Sequence, residues 1–203
     1  DDEIIVLGRN TIKKKKKITL NAGNSGTLRR VILGLLTHHK SKVKIIGDKS
    51  LSKRDFSRVI FPLKKFGAKF RYKSNYKLPI EIQGTSNPKP INYIETKGSA
   101  QCKSTVMLAA LNTSGQTTIK AKKSRDHTEI LFKHLKVPLI LKQNKKFDLI
   151  KINGKKQFSG FNYKIPSDIS SSSFFIVLTL LSNKSKLIIK NVNINPSRTG
   201  ILT

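Results

Sequence analysis

The stretch Asn21-Ala-Gly-Asn-Ser-Gly-Thr-Leu-Arg-Arg-Val-Ile-Leu-Gly-Leu-Leu36 decides how the rest of the chain is read. A strand-like Ile18-Thr19-Leu20 runs into a turn of small residues, Gly23 to Thr27. Leu28, Val31, Ile32, Leu35 and Leu36 then recur at helical spacing, so the pattern predicts strand, turn and helix start. At such a start the first backbone N–H groups are unpaired and the positive end of the helix dipole faces the turn. The hydroxyls of Ser25 and Thr27 and the guanidinium groups of Arg29 and Arg30 would add to that field, which suits an anion. A plainer alternative is that Asn24 or Ser25 caps the helix and the glycines make a tight turn, and one such stretch alone does not decide between the two.

Working outward, the same order of elements returns. Lys42–Ile46 reads as a strand, Gly47–Asp55 leads into a helix with Phe56, Val59, Ile60, Leu63 and Phe66 on one face, and strands follow at Ala68–Tyr72 and Pro79–Ile82. Gly98-Ser-Ala-Gln-Cys-Lys-Ser104 then opens an apolar helix, Thr117–Lys120 is a strand, and Ser124-Arg-Asp-His-Thr-Glu129 opens a second helix. Strands at Pro138–Leu141 and Asp148–Ile152 close this copy. A third copy starts at Ser167-Asp-Ile-Ser-Ser-Ser-Ser173, continues as a helix over Phe174–Leu181 and a strand over Lys186–Lys190, and reaches Pro196-Ser-Arg-Thr-Gly200. Arg54, Arg125 and Arg198 recur at intervals of 71 and 73 residues (125 − 54 and 198 − 125). Each copy is thus β-α-β-α-β-β, an α+β architecture built from α/β-type repeats, with a Ser/Gly-rich first helix start and a Ser–Arg second one. Capping explains the serines. It leaves the arginines unexplained, because a cation at a helix N-terminus opposes the dipole unless an anion lies between them.

Composition narrows the class. The 203 residues are 37% hydrophobic, enough for a real core. There are 41 Lys and Arg against 11 Asp and Glu, a formal charge of +30 that first suggests a phosphate-rich partner. The excess is mostly Lys scattered through loops and strand ends, and only Lys13–Lys17 forms a block, expected in a solvated hairpin or loop. With no Trp and four Tyr, no basic strand carries the aromatic residues that stack bases, so nucleic-acid binding is not expected. No apolar run of about 18 residues and no leader is seen, so no membrane association is expected. The single Cys102 fits a cytoplasmic protein, and His38, His39, His127, His134 and Cys102 lack metal-ligand spacing, so no metal is expected. The chain lacks an initiator Met and stops where a helix is starting, as an internal fragment would.

Five motifs, Gly23-Asn-Ser-Gly-Thr27 with Arg30, Gly47–Arg54, Ser99–Ser104, Ser124–Glu129 and Asn195–Gly200, together resemble the 5-enolpyruvylshikimate-3-phosphate synthase family, in the style of its class II, over nearly the whole chain. The resemblance implies the enolpyruvyl transferase fold, with three β-α-β-α-β-β units in each of two inside-out α/β barrel domains. Residues 1–163 would be most of the first domain and 164–203 the start of the second. It implies a 1-carboxyvinyl transferase that moves the enolpyruvyl group of phosphoenolpyruvate to the 5-hydroxyl of shikimate 3-phosphate, releasing phosphate, in aromatic amino-acid biosynthesis, with no cofactor and as a monomer when intact.

By motif match, Ser99, Ala100, Gln101, Ser124 and Arg125 would bind shikimate 3-phosphate. Asn24, Gly26, Thr27, Arg54 and Gln101 would bind phosphoenolpyruvate, and Arg30 would support the first loop from behind or lie at the surface. Gly26 stands where the family's glyphosate sensitivity is decided, so sensitivity is expected. Asp55 replaces the usual Pro, Ser167 a common Gly and His127 a Tyr, the last expected to cap or line the site rather than act as a base. Cys102 is not expected to be a nucleophile, and Lys103 is at most a neighbour of the phosphate. The catalytic acid and base are expected outside this chain. The alternatives are the sister enzyme that acts on UDP-N-acetylglucosamine and a non-enzymatic basic phosphate- or nucleic-acid-binding protein.

Overall fold

The computed structural model describes residues 4–5, 17–155 and 159–202, so Lys13–Lys16 of the basic block lie outside the described residues. Lys17 already opens a strand. The chain divides into two compact bodies, Asp1–Ser159 and Gly160–Thr203.

The first body contains two copies of one topology. β1 (Lys17–Asn21), α1 (Gly26–Leu36), β2 (Lys42–Ile46), the short α2 (Lys49–Ser52), α3 (Ser57–Lys65), β3 (Lys69–Tyr72) and β4 (Ile80–Gln83) make the first. β5 (Asn92–Glu95), α4 (Ala100–Leu111), β6 (Gln116–Lys122), α5 (His127–His134), β7 (Leu139–Gln143) and β8 (Phe147–Asn153) make the second. The sheet orders are β1-β2-β4-β3 and β5-β6-β8-β7. In each, the first pair is parallel and the other two are antiparallel. The right of each first helix to exist follows from this: a parallel pair needs a crossover, and α1 and α4 supply it.

Alternation along the strands sets the sheets' inner faces. Val43 and Ile45, Ile80 and Ile82, Ile119 and Ala121, and Ile150 and Ile152 are buried, while lysines such as Lys120 and Lys122 occupy exposed positions between or beyond them. Part of the positive charge is therefore sheet surface. α4 is buried on nearly every side, with Cys102, Val106, Met107, Ala109 and Ala110 in one continuous core with Phe56, Ile60, Leu63 and Phe66.

α1 and α4 cross at a near-backbone contact. A Cβ on Gly34 would stand 2.3 Å from the Thr105 carbonyl oxygen. Thr105 Oγ1 donates to the Gln101 carbonyl at 2.7 Å and lies 2.9 Å from the Arg30 carbonyl, so one hydroxyl touches both helices at the crossing. Gly34→Ala is expected to cost about 1–3 kcal/mol through overpacking, read as a lower urea midpoint. Thr105→Ala should not relieve the loss, because the clash is with backbone.

Two expectations change. β5 was not foreseen: its Asn-Tyr-Ile-Glu segment buries only Glu95 fully, so no apolar alternation marks it. In the second body the expected strand at Lys186–Lys190 is absent. A strand needs a hydrogen-bonded neighbour, and the pairing falls later, as an isolated parallel bridge between Ser167 and Val192. The helix α6 (Ile169–Leu181) starts five residues before Phe174, capped by Asp168, whose side chain accepts from the Ser170 N–H.

Candidate anion-binding site

Ser25 caps α1 and Ser99 caps α4, each accepting the N–H three residues on, at 3.1 and 3.3 Å. The two serines thus do what the plain reading of the motif requires. The residues around them do more. Asn24 donates from Nδ2 to Asp48 Oδ2 at 2.5 Å, and the Asp48 N–H donates to the Gly23 carbonyl at 3.0 Å. The turn before α1 is therefore tied to the turn before α2, which Asp48 also caps.

Arg54 lies in the link between α2 and α3, two residues past the one and three before the other, rather than in the first turn of a helix. Its charge is thus not set against α3's dipole. Its Nη1 sits 2.9 Å from the position a Cβ on Gly26 would take, so the guanidinium covers the first residue of α1 because that residue has no side chain. Arg54 and Thr27 are exposed and Gly26 is buried.

Gln101 joins the two repeats. Its Nε2 donates to Thr27 Oγ1 at 2.7 Å, and its Oε1 accepts from Arg30 Nη1. Both ends of the amide are thereby set, and the openings of α1 and α4 are held side by side. Arg30 supports Gln101 instead of lying free at the surface.

The Ser124 turn approaches the same helix start from the other side. A Cβ on Gly98 would lie 3.2 Å from the Lys123 carbonyl. Ser124 Oγ is buried and finds no hydrogen-bond partner among the described residues, Arg125 is exposed, and Ala100 is the first residue of α4. A buried unpaired hydroxyl is costly in a dry core and suits a site that receives a polar ligand. His127 is the first residue of α5.

Charges behind the site are arranged by burial. Cys102 is 2% exposed on α4, away from any nucleophilic role. Lys103 is fully buried and its Nζ lies 2.5 Å from Glu129 Oε1, so it is no phosphate neighbour but half of an internal ion pair. Burial pushes the Glu129 carboxyl above its usual range, against the opposing effect of Lys103. Glu95, also buried, accepts from Arg58 Nη2 at 2.8 Å and from the N–H groups of Lys97 and Ser99, which fixes the loop entering α4. Neither pair is visible in sequence, since the partners are 26 and 37 residues apart (129 − 103 and 95 − 58) and no local period links them.

Around Gly26 the balance is positive: Arg29, Arg30 and Arg54 influence one another with Asp48 as the carboxylate nearby. Burial first, then Arg30 and Arg54, pull the Arg29 guanidinium down to about 9. In the second body Arg198 makes an ion pair with Asp168 Oδ1 at 2.7 Å and donates to Ser170 Oγ. The third Ser–Arg pair therefore meets an internal carboxylate, held below the usual range by the Ser170 N–H, the Ser171 hydroxyl and Arg198. Among the described residues no three of His, Cys, Asp and Glu gather as metal ligands, and no helix is long and apolar enough to cross a membrane.

Repeated β-α-β-α-β-β units with adjoining helix starts define an α+β repeat protein with a cationic edge. The family model of EPSP synthase (3-phosphoshikimate 1-carboxyvinyltransferase) matches residues 1–203. The chain belongs to that family. It is 39% identical to the 3-phosphoshikimate 1-carboxyvinyltransferase of Streptococcus pyogenes serotype M1 and 40% identical to that of Caldicellulosiruptor bescii, in each case over all of this chain and 47% of the relative. It is 34% identical to the EPSP synthase of Acinetobacter baumannii, whose 2.37 Å structure superposes with a TM-score of 0.77 over 91% of this chain and 41% of that one. The chain thus spans about half the length of these relatives, and its sheets and helices form an incomplete enolpyruvyl transferase domain.

Proposed function

We propose that the chain forms one face of the active site of an enzyme that transfers the enolpyruvyl group of phosphoenolpyruvate to the 5-hydroxyl of shikimate 3-phosphate and releases phosphate. The Gln101 amide supports this reading most directly, because it joins Thr27 and Arg30 of one repeat to the start of α4, as two adjoining substrate sides would require. Asn24, Gly26, Thr27 and Arg54 hold phosphoenolpyruvate, and Ser99, Ala100, Gln101, Ser124 and Arg125 hold shikimate 3-phosphate. Arg54 contributes a bidentate cation, and the α1 start contributes N–H groups and dipole.

The reaction is addition and elimination. The methylene carbon of phosphoenolpyruvate gains a proton and becomes a methyl, the shikimate oxygen bonds to the adjacent carbon and loses its proton, and the methyl then gives up a proton as the C–O bond to phosphate breaks, the double bond re-forms and phosphate leaves. Orientation and charge stabilisation are what these residues supply. The general acid and base belong to the half of the relatives that this chain does not match, so the 203 residues bind their ligands weakly and do not turn over. Residues 1–163 belong to the first domain and 164–203 to the second, a division supported by the compact break at Ser159/Gly160. The protein works in the cytoplasm, as a monomer, without nucleic acid, and the intact enzyme is inhibited by glyphosate.

Hydrogen exchange on the chain tests the reading. Shikimate 3-phosphate is expected to protect residues 98–102 and 124–128, and phosphoenolpyruvate residues 23–27. Protection by UDP-N-acetylglucosamine alone would assign the sister reaction. Salt-sensitive binding of any DNA, with neither substrate bound, would assign a basic binding protein.

A further inference from the structure

Arg29 is a fully buried cation that makes no ion pair among the described residues, with Asp48 acting on it only as a neighbouring charge. It lies one turn into α1, its guanidinium carbon 3.0 Å from the centre of the Phe56 ring, and its Nη1 donates to the Leu51 carbonyl at 2.9 Å. Nε and Nη2 are buried and find no partner among the described residues. Two further cations, Arg30 and Arg54, oppose its charge. An apolar side chain would cover Phe56 without any of these costs, so packing alone does not account for a guanidinium here.

What the guanidinium adds is its bond to Leu51. That carbonyl also accepts the backbone N–H of Arg54 at 3.2 Å and that of Lys53. One oxygen therefore ties the first turns of α1 to the backbone from which the Arg54 side chain leaves. Phe56, just beyond, is fixed in turn by its N–H bond to the Tyr76 carbonyl at 3.1 Å and forms the shelf on which Arg29 lies. Arg54 is exposed and contacts Gly26 through its tip, so its aim depends on how firmly its backbone is held.

We infer that Arg29 is a positioning residue for Arg54, holding the α2 end so that the Arg54 fork stays over the opening of α1 where the phosphoenolpyruvate anion binds. This rests on the proposed role of Arg54. It is the donor to Leu51, rather than bulk on Phe56, that carries the effect.

The test compares the wild-type chain with Arg29→Met, Arg54→Ala and the double variant by calorimetric titration of phosphoenolpyruvate and of shikimate 3-phosphate. In parallel, the Nε–Hε relaxation of Arg54 is measured by NMR without ligand. Arg29→Met is expected to weaken phosphoenolpyruvate about tenfold, as loss of one charge-assisted bond would, to leave shikimate 3-phosphate unchanged, and to add nothing in the Arg54→Ala background. Arg29→Gln, which can still donate to Leu51, should weaken it less, and it supplies the same comparison if the methionine variant does not fold. Equal weakening of both ligands, or additive losses in the double variant, would overturn the inference. Should the wild type bind neither ligand, the functional reading fails on its own. The NMR measurement then decides: a loss of Arg54 side-chain order in Arg29→Met supports the positioning role, and unchanged order refutes it.

Discussion

Lys103→Met is expected to destabilise the chain by about 3–5 kcal/mol, the cost of leaving a buried charge without its partner. Lys103 Nζ and Glu129 Oε1 stand 2.5 Å apart, with side chains 0% and 2% exposed. Lys103 Nζ finds no other partner among the described residues, and beyond Lys103 only the Glu129 backbone N–H eases the carboxylate charge that remains. The pair spans α4 and α5 one residue from the contact between Ser104 Oγ and Thr128 Oγ1 at 2.6 Å. Together these bonds set the distance between the Ser99 and Ser124 turns. The double variant Lys103→Met/Glu129→Leu removes both desolvation costs and is expected to recover most of the stability. Urea midpoints with a common m-value check this. A double variant as unstable as the single one would mean that the pair is not the source of the loss. If stability returns but shikimate 3-phosphate binding does not, the pair sets geometry as well as stability.

Arg54→Ala should act in the opposite way, on binding and not on folding. The side chain is exposed and makes its contact at the Gly26 backbone, so little packing is lost. Removing a bidentate cation from an anion is expected to cost about 2–3 kcal/mol, or roughly 30- to 150-fold in phosphoenolpyruvate affinity. Gly26→Ala should fall between this and the wild type, because its Cβ would stand 2.9 Å from Arg54 Nη1 and a flexible arm can yield by a few tenths of an ångström. Calorimetric titration separates the two ligands. A parallel loss for shikimate 3-phosphate would show that Arg54 does not belong to one side alone.

The repeat was legible because it is written in local chemistry: polar residues at the first helix starts, helical spacing and strand alternation recur in order, and each can be read within a dozen residues. Ser25 and Ser99 cap their helices as expected. Arg54 was placed one element too late, because the four-residue α2 is too short to leave a period of its own. Lys103 looked like one more lysine near a phosphate. Its burial depends on α5 folding over α4, a tertiary fact that no window of sequence contains. Arg29 was read as part of the field at the α1 start, yet its donor points backward to Leu51, and only the fold brings that carbonyl near. The strand expected at Lys186–Lys190 had the right residues but no neighbour to pair with. Alternation supplies a face, and pairing must come from elsewhere.

Doubling has a further consequence at the Gln101 bridge. Two copies of one unit begin with equivalent helix starts, and a single amide now spends its acceptor on one copy's arginine and its donor on that copy's threonine. Once linked in this way, the two helix starts are no longer independent at these positions. A change at position 27, 30 or 101 alters the wiring of both copies at once.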